Sequence, residues 1–275
     1  MALMKFLVVL LLASCALCRP ASAADAVAPT LAPVDLFKVV FPSWKPGAMP
    51  HEGDPAPMVV GANAPGVKWP WLPEVIGDDP FRAKDTTLIE ADPLLVVRID
   101  ETHAALLAQI NAYEGECHYG CLFDIGAYFF TQVEDGWKLT RRVDRVRTVV
   151  GDGLSHSELR DWPGHGKVFA TRSDFYAQSQ EADQLELIGL RPDSIGFSFE
   201  TSIKGSSILE GNEWDVDGKW RVDGKGIVFE FQGQWPKEVT QGRSRRSQYR
   251  KSSARVELRQ GVMVLVKGHL PDFSV

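Results

Sequence analysis

Residues Glu116 to Val146 read ECHYGCLFDIGAYFFTQVEDGWKLTRRVDRV. Ala127, Phe129, Thr131 and Val133 alternate along one side of an extended segment. After Glu134-Asp135-Gly136, Trp137, Leu139, Arg141 and Val143 alternate in the same way, the pattern of two strands about a tight turn. The reading is a β-hairpin entered through a cysteine-bearing loop. It specifies a fold more than an activity.

Working outward, the period of two returns. Leu159 to Asp174 has a turn at Pro163-Gly164-His165-Gly166 and then Val168 and Ala170 on one side. Gln184 to Leu190 makes another strand. Next, Ile195, Phe197, Phe199, Thr201 and Ile203 face one way, and Gly196, Ser198, Glu200, Ser202 and Lys204 face the other, one side core and one side water. Trp214 to Phe231 carries Asp-Gly turn signals at Asp217-Gly218 and Asp223-Gly224, with Ile227, Phe229 and Phe231 alternating after them. Ala254 to Pro271 gives two strands about Gln260-Gly261. Strands at this spacing predict a mainly antiparallel β domain over residues 94–275, built as a sandwich, a barrel or a propeller-like set of blades. No strict repeat supports blades.

Upstream of the hairpin, DPLLVVRID (Asp92 to Asp100) is a continuous apolar run and reads as a buried strand. ETHAALLAQINAY (Glu101 to Tyr113) reads as the one short helix, capped by Asp100 or Thr102, with Leu106, Leu107 and Ile110 on a shared face. Residues 24–93 hold twelve of the chain's 17 prolines beside Trp44, Trp69 and Trp71, which predicts a tether followed by an irregular Pro/Trp-rich arm packed on the main domain. Within it, LFKVVF (Leu36 to Phe41) reads as a strand. Trp69 and Trp71 suit either core packing or a ligand groove for sugars or peptides.

Residues 1–23 carry Lys5, an apolar stretch from Phe6 to Cys18 and the small-residue site Ala21-Ser22-Ala23, the layout of an export signal. The stretch is too short to span a membrane, which takes about 20 apolar residues, and no transmembrane span is expected elsewhere. Leu12-Ala13-Ser14-Cys15 gives a competing reading, a lipid anchor at Cys15. Processing after Ala23 leaves Cys117 and Cys121 as a pair, whereas processing before Cys15 leaves Cys18 as an odd thiol. The expected place is therefore the periplasm or the medium, with lipid anchoring in the bacterial envelope as the alternative.

Loss of residues 1–23 removes two basic side chains and no acid, leaving 28 basic against 36 acidic groups. Such a surface is not that of a nucleic-acid binder. The exception is Gly242 to Arg259, with Arg243, Arg245, Arg246, Arg250, Lys251, Arg255 and Arg259 against Glu257 alone. It reads as a solvated loop, or as a docking patch for an anionic partner.

The chemical motifs are sparse. Cys117 and Cys121, four apart in an oxidising compartment, predict a short disulfide worth roughly 2 kcal/mol, and their spacing fits neither a zinc knuckle nor haem attachment. Asp152, Asp215, Asp217 and Asp223 lack the alternating ligands of a calcium loop. Gly153-Leu154-Ser155-His156-Ser157 ends in Ser where a nucleophile elbow needs Gly. No metal or other cofactor is expected. The sequence points to a non-enzymatic binding module with an envelope protein or a glycan as partner. The basic residues from Arg243 to Lys251, with Trp69 and Trp71, are its surfaces. The rival is an envelope hydrolase assembled around His156, Asp161 and His165.

Overall fold

The computed structural model describes residues 26–42, 45–46, 58–61, 88–111, 121–151, 154–177, 180–208, 213–235, 239–240, 243–244 and 248–271. Two antiparallel sheets pack face to face. The first contains β1 (Val27–Ala28), β2 (Lys45–Pro46), β3 (Met58–Gly61), β4 (Leu88–Arg98), β5 (His103–Asn111), β6 (Cys121–Val133) and β7 (Gly136–Gly151), in the spatial order β1-β7-β6-β5-β4-β3-β2. The second runs from β8 (Leu154–Trp162) through β9 (Gly166–Ala177), β10 (Gln180–Arg191), β11 (Ser194–Ser207), β12 (Trp214–Asp223) and β13 (Gly226–Trp235). After a small ribbon of β14 (Val239–Thr240) and β15 (Arg243–Ser244), β16 (Gln248–Arg259) and β17 (Val262–Gly268) complete it, in the order β17-β16-β13-β12-β11-β10-β9-β8. This second sheet curls into a half-barrel: the Arg160 guanidinium of β8 lies 4.2 Å over the Trp220 ring of β12, although three strands separate them in the ladder.

The opening hairpin is present, and both of its faces are buried. Ala127 and Phe129 point at the second sheet, where they meet Phe169, Ile188 and Leu190. Tyr128 and Phe130 point the other way, onto α1 (Pro33–Val40). On β7 the expected shared face breaks, since Trp137 and Leu139 join the helix side whereas Val143 joins the inter-sheet side. The pairing slips by one residue between Phe129↔Arg141 and Phe130↔Leu139, leaving Thr140 as a bulge that turns the strand over. Its hydroxyl donates to the Phe129 carbonyl at 3.1 Å. Gly136 closes the turn at φ +139°, and a Cβ there would stand 2.2 Å from the Ala28 carbonyl oxygen, so only glycine lets β1 approach.

The helix is in a different place from the expected one. Residues 103–111 form β5, whose alanines and leucines are buried alternately on both faces: Leu106 and Ala108 under α1, Ala105 and Leu107 against the second sheet. A run that is apolar on two faces carries no period of two, and its helix-forming composition yields to the strands on either side. The expected cap is used by the β4–β5 turn instead, where Asp100 Oδ1 accepts from the backbone N–H of Thr102 and of His103, both at 2.8 Å. The segment Leu36 to Phe41, expected as a strand, lies mostly in α1. Pro33 occupies the first helical turn, and Thr30 closes the entry, accepting from Ala32 N at 2.9 Å and donating to Asp35 at 2.6 Å. Leu36, Phe37 and Val40 lie on one helical stripe and cover the first sheet.

Two further expectations change. The strand expected from Ala254 starts earlier, at Gln248, so residues 248–253 are strand and not loop; it lies between β13 and β17, with Ala254 and Val256 alternating into the core. Asp217-Gly218 is no turn but the middle of β12. A Cβ on Gly218 would meet the Ile203 carbonyl oxygen at 2.5 Å and the Phe231 ring at 2.7 Å. Asp223-Gly224 does make a turn, with Asp223 Oδ1 accepting from Lys225 N at 3.0 Å and Gly226 N at 3.2 Å.

The half-barrel is filled by its own side chains, among them Trp162, Leu187, Phe197, Trp214, Trp220, Phe229 and Phe231. Its ladder is uneven. β10 and β11 pair from Gln180 to Arg191, whereas β11 meets β12 only through Lys204–Ser207 opposite Trp214–Asp217.

Candidate functional site

On β12, β13 and β16 the inward residues fill the half-barrel, so the alternate ones must face outward. Cross-strand register places them in rows of three. Asp215, Gln234 and Tyr249 form one row; Asp217, Gln232 and Lys251 the next; Lys219, Glu230 and Ser253 the third; Arg221, Val228 and Arg255 the last. The middle two rows line a recess of about 480 Å³. Its polar groups are two carboxylates, two ammonium groups, an amide and the hydroxyls of Ser252 and Ser253. Tyr249, 68 % exposed, stands at its border.

The surroundings of the recess are tied down. Arg255 donates to Asp223 and also approaches Glu257 at 3.4 Å. Arg259 reaches Glu257 at 3.2 Å, and Arg221 lies 3.6 Å from Glu230. The backbone N–H of Lys225 and the Arg255 guanidinium hold the Asp223 carboxyl below its ordinary range. Arg250 stacks 4.3 Å over the Trp235 ring, whose indole N–H donates back to the Arg250 carbonyl at 3.2 Å.

The second polar region is internal, and the sequence alone does not reveal it. The face of β11 expected to meet water instead opposes β7: Ser202 is buried, and Glu200 is ion-paired to Arg147. Ile195 leaves the half-barrel side for the inter-sheet core, at the pairing irregularity between Gly189 and Leu190. Glu186, 2 % exposed, lies 3.2 Å from Arg147 Nε, without the alignment of a hydrogen bond. Burial pushes its carboxyl up to about 7 against the pull of Arg147. The available signal was one acid inside the apolar run Leu185 to Leu190.

On the helix side of the first sheet, Arg142 donates to Asp144 at 2.6 Å and to the Val40 carbonyl at 2.9 Å. It also lies over the Phe41 and Tyr128 rings at 5.1 and 5.7 Å. The Tyr128 hydroxyl donates to Asp144 at 3.2 Å. Burial raises the Asp144 carboxyl, and it holds the Tyr128 phenol well above its usual value.

Of the residues singled out from sequence, Arg250 and Lys251 lie together on β16 and Lys251 reaches the recess. Arg243 opens β15. Arg245, Arg246, Trp69, Trp71, Cys15 and Cys117 lie outside the described residues, and Cys121 opens β6. His156 lies on β8. Asp161 accepts from Lys167 Nζ at 2.6 Å, and His165 packs on the Trp162 ring with centroids 4.7 Å apart. Those contacts use both side chains for the β8–β9 turn, and no hydrogen bond joins the two. Among the described residues no cluster of three His, Cys, Asp or Glu could hold a metal ion, and no helix is long and apolar enough to cross a membrane. Comparison with family models, curated proteins and solved structures finds no match to this chain.

Proposed function

We propose that the chain is an exported binding module of the bacterial envelope that holds a protein or glycan partner without chemical turnover, on the outward face of β12, β13 and β16. The observation that carries this reading is the recess itself. Asp217, Lys219, Glu230, Gln232, Lys251 and Ser253 offer donors and acceptors of balanced charge, held in register on both sides of the central strand β13. A partner rich in hydroxyl or amide groups satisfies such a set, and the flat Tyr249 ring one row away suits stacking on a sugar or an apolar side chain. Export rests on residues 1–23 and on the expected Cys117–Cys121 pair. Processing after Ala23 releases a periplasmic or secreted form, and acylation at Cys15 a tethered one. Arg250 is next to Lys251 on β16, and Arg243, Arg245 and Arg246, which precede them in sequence, add positive charge suited to an anionic region of the same partner.

The test is a cross-linked, non-reducing capture from envelope extract, with the intact mass of the bait recorded. Three baits are compared: the unaltered protein, the Gln232→Ala/Lys251→Glu double variant, and a variant with Arg243, Arg245 and Arg246 changed to Glu. Recovery of a stoichiometric partner by the first bait and its loss with the double variant is the expected result. Equal recovery by the first two baits removes this face from the reading.

A further inference from the structure

We propose that β17 pairs edge to edge with β17 of a second copy of this chain, antiparallel, about a two-fold axis through Val264. Among the described residues the terminal strands of the two sheets are β1, β2, β8 and β17, and the first three are short or charged. β1 and β2 are two residues long. β8 carries Glu158, Arg160 and Asp161, engaged in ion pairs of 3.0 Å within the strand and 2.6 Å to Lys167. Short edges and edge charges are the usual protection against strand addition. β17 has neither: Val262 to Val266 is an uncharged, proline-free run, with Val262 62 %, Val264 37 % and Leu265 44 % exposed. Among the described strands it is hydrogen-bonded to β16 alone.

Self-complementarity decides the occupant. Met263 and Leu265 stand opposite Leu258 and Val256 on the core side, and Val262 and Val264 opposite Arg259 and Glu257 on the outer side. With the axis at Val264, Met263 falls opposite the second copy's Leu265 and Val262 opposite its Val266. The apolar row Leu258–Met263 then continues into Leu265 and Val256 of the other copy, extending the half-barrel core across the joint. No like charges meet, since Lys267 faces Gly261. Glu257 beside the joint is already neutralised by Arg255 and Arg259. The Gln260-Gly261 turn at one end and the pairing irregularity between Arg255 and Val256 at the other confine the contact to Val262 through Val266. A contact of that size belongs with small, weak interfaces, so association in the micromolar range is expected.

Sedimentation velocity over a concentration series tests this with the mature protein and two variants, Val264→Lys and Val264→Glu. The side chain is exposed, so both variants keep the fold, checked by far-ultraviolet circular dichroism. The unaltered protein should pass from monomer to dimer as concentration rises. Each variant alone should stay monomeric, because two like charges meet on the axis. Their equimolar mixture should regain the dimer. An unaltered protein that remains monomeric, a variant that dimerises alone, or a mixture that stays monomeric overturns the proposal, whatever other segment β17 is found to bind.

Discussion

Replacing Glu186 by Gln should remove a pH dependence of stability that the unaltered chain carries. The carboxyl sits between the sheets, 2 % exposed, and burial raises it from an ordinary 4.5 to about 7. Between those two values the folded chain holds a proton that the unfolded chain has lost, so the free energy of unfolding must fall as pH rises. The full stabilisation is present below 4.5 and is lost as pH passes through about 7. At 1.36 kcal/mol for each pKa unit, the loss from about pH 5 to about pH 8 is roughly 3 kcal/mol. Gln keeps an acceptor for Arg147 and has no proton to lose. Burial also raises Asp183 and Asp144, which contribute with the same sign, so the informative quantity is the difference between the two proteins. Urea unfolding at the two pH values should show a steeper fall for the unaltered chain, with Glu186→Gln the more stable protein at the alkaline end. Parallel curves would refute the argument, because they would mean that the folded carboxyl titrates as it does in the unfolded chain.

Two further substitutions probe the helix side of the first sheet. Arg142→Ala removes the donor to the Val40 carbonyl and strips Asp144 of its cation, and should cost about 3 kcal/mol in denaturant unfolding. Arg142→Lys, which keeps the charge without the fork, should fall between. Gly136→Ala puts a methyl group against the Ala28 carbonyl at a φ that L side chains avoid. It should cost about 1–3 kcal/mol and speed amide exchange at Val27 and Ala28, leaving β10 and β11 unchanged.

Features written in a few neighbouring residues were legible before any coordinates. The turns at Glu134-Asp135, Asp223-Gly224 and Gln260-Gly261 follow from local backbone preferences, and they join β6 to β7 in the first sheet and β12 to β13 and β16 to β17 in the half-barrel. Features set by distant partners were not. Residues 103–111 have helix-forming composition because both faces are covered, one by α1 and one by the second sheet, and neither cover is adjacent in sequence. The alternation of Ser198, Glu200 and Ser202 looks the same whether it meets water or Arg147. Lys251 was legible as a charge; that Gln232 and Asp217 stand in its row depends on a register that joins three separate segments.

The short ladder between β11 and β12 has a mechanical meaning. Lys204–Ser207 against Trp214–Asp217 is a perforation in the half-barrel, with long, fully stitched hairpins on either side. What holds the two flaps together there is side-chain contact across the interior, Arg160 on Trp220 and Phe199 on Phe229, more than backbone bonding. Pulled from its two ends, the sheet should tear along that line first, leaving β8 to β11 fastened to the first sheet and β12 to β17 as the piece that swings free.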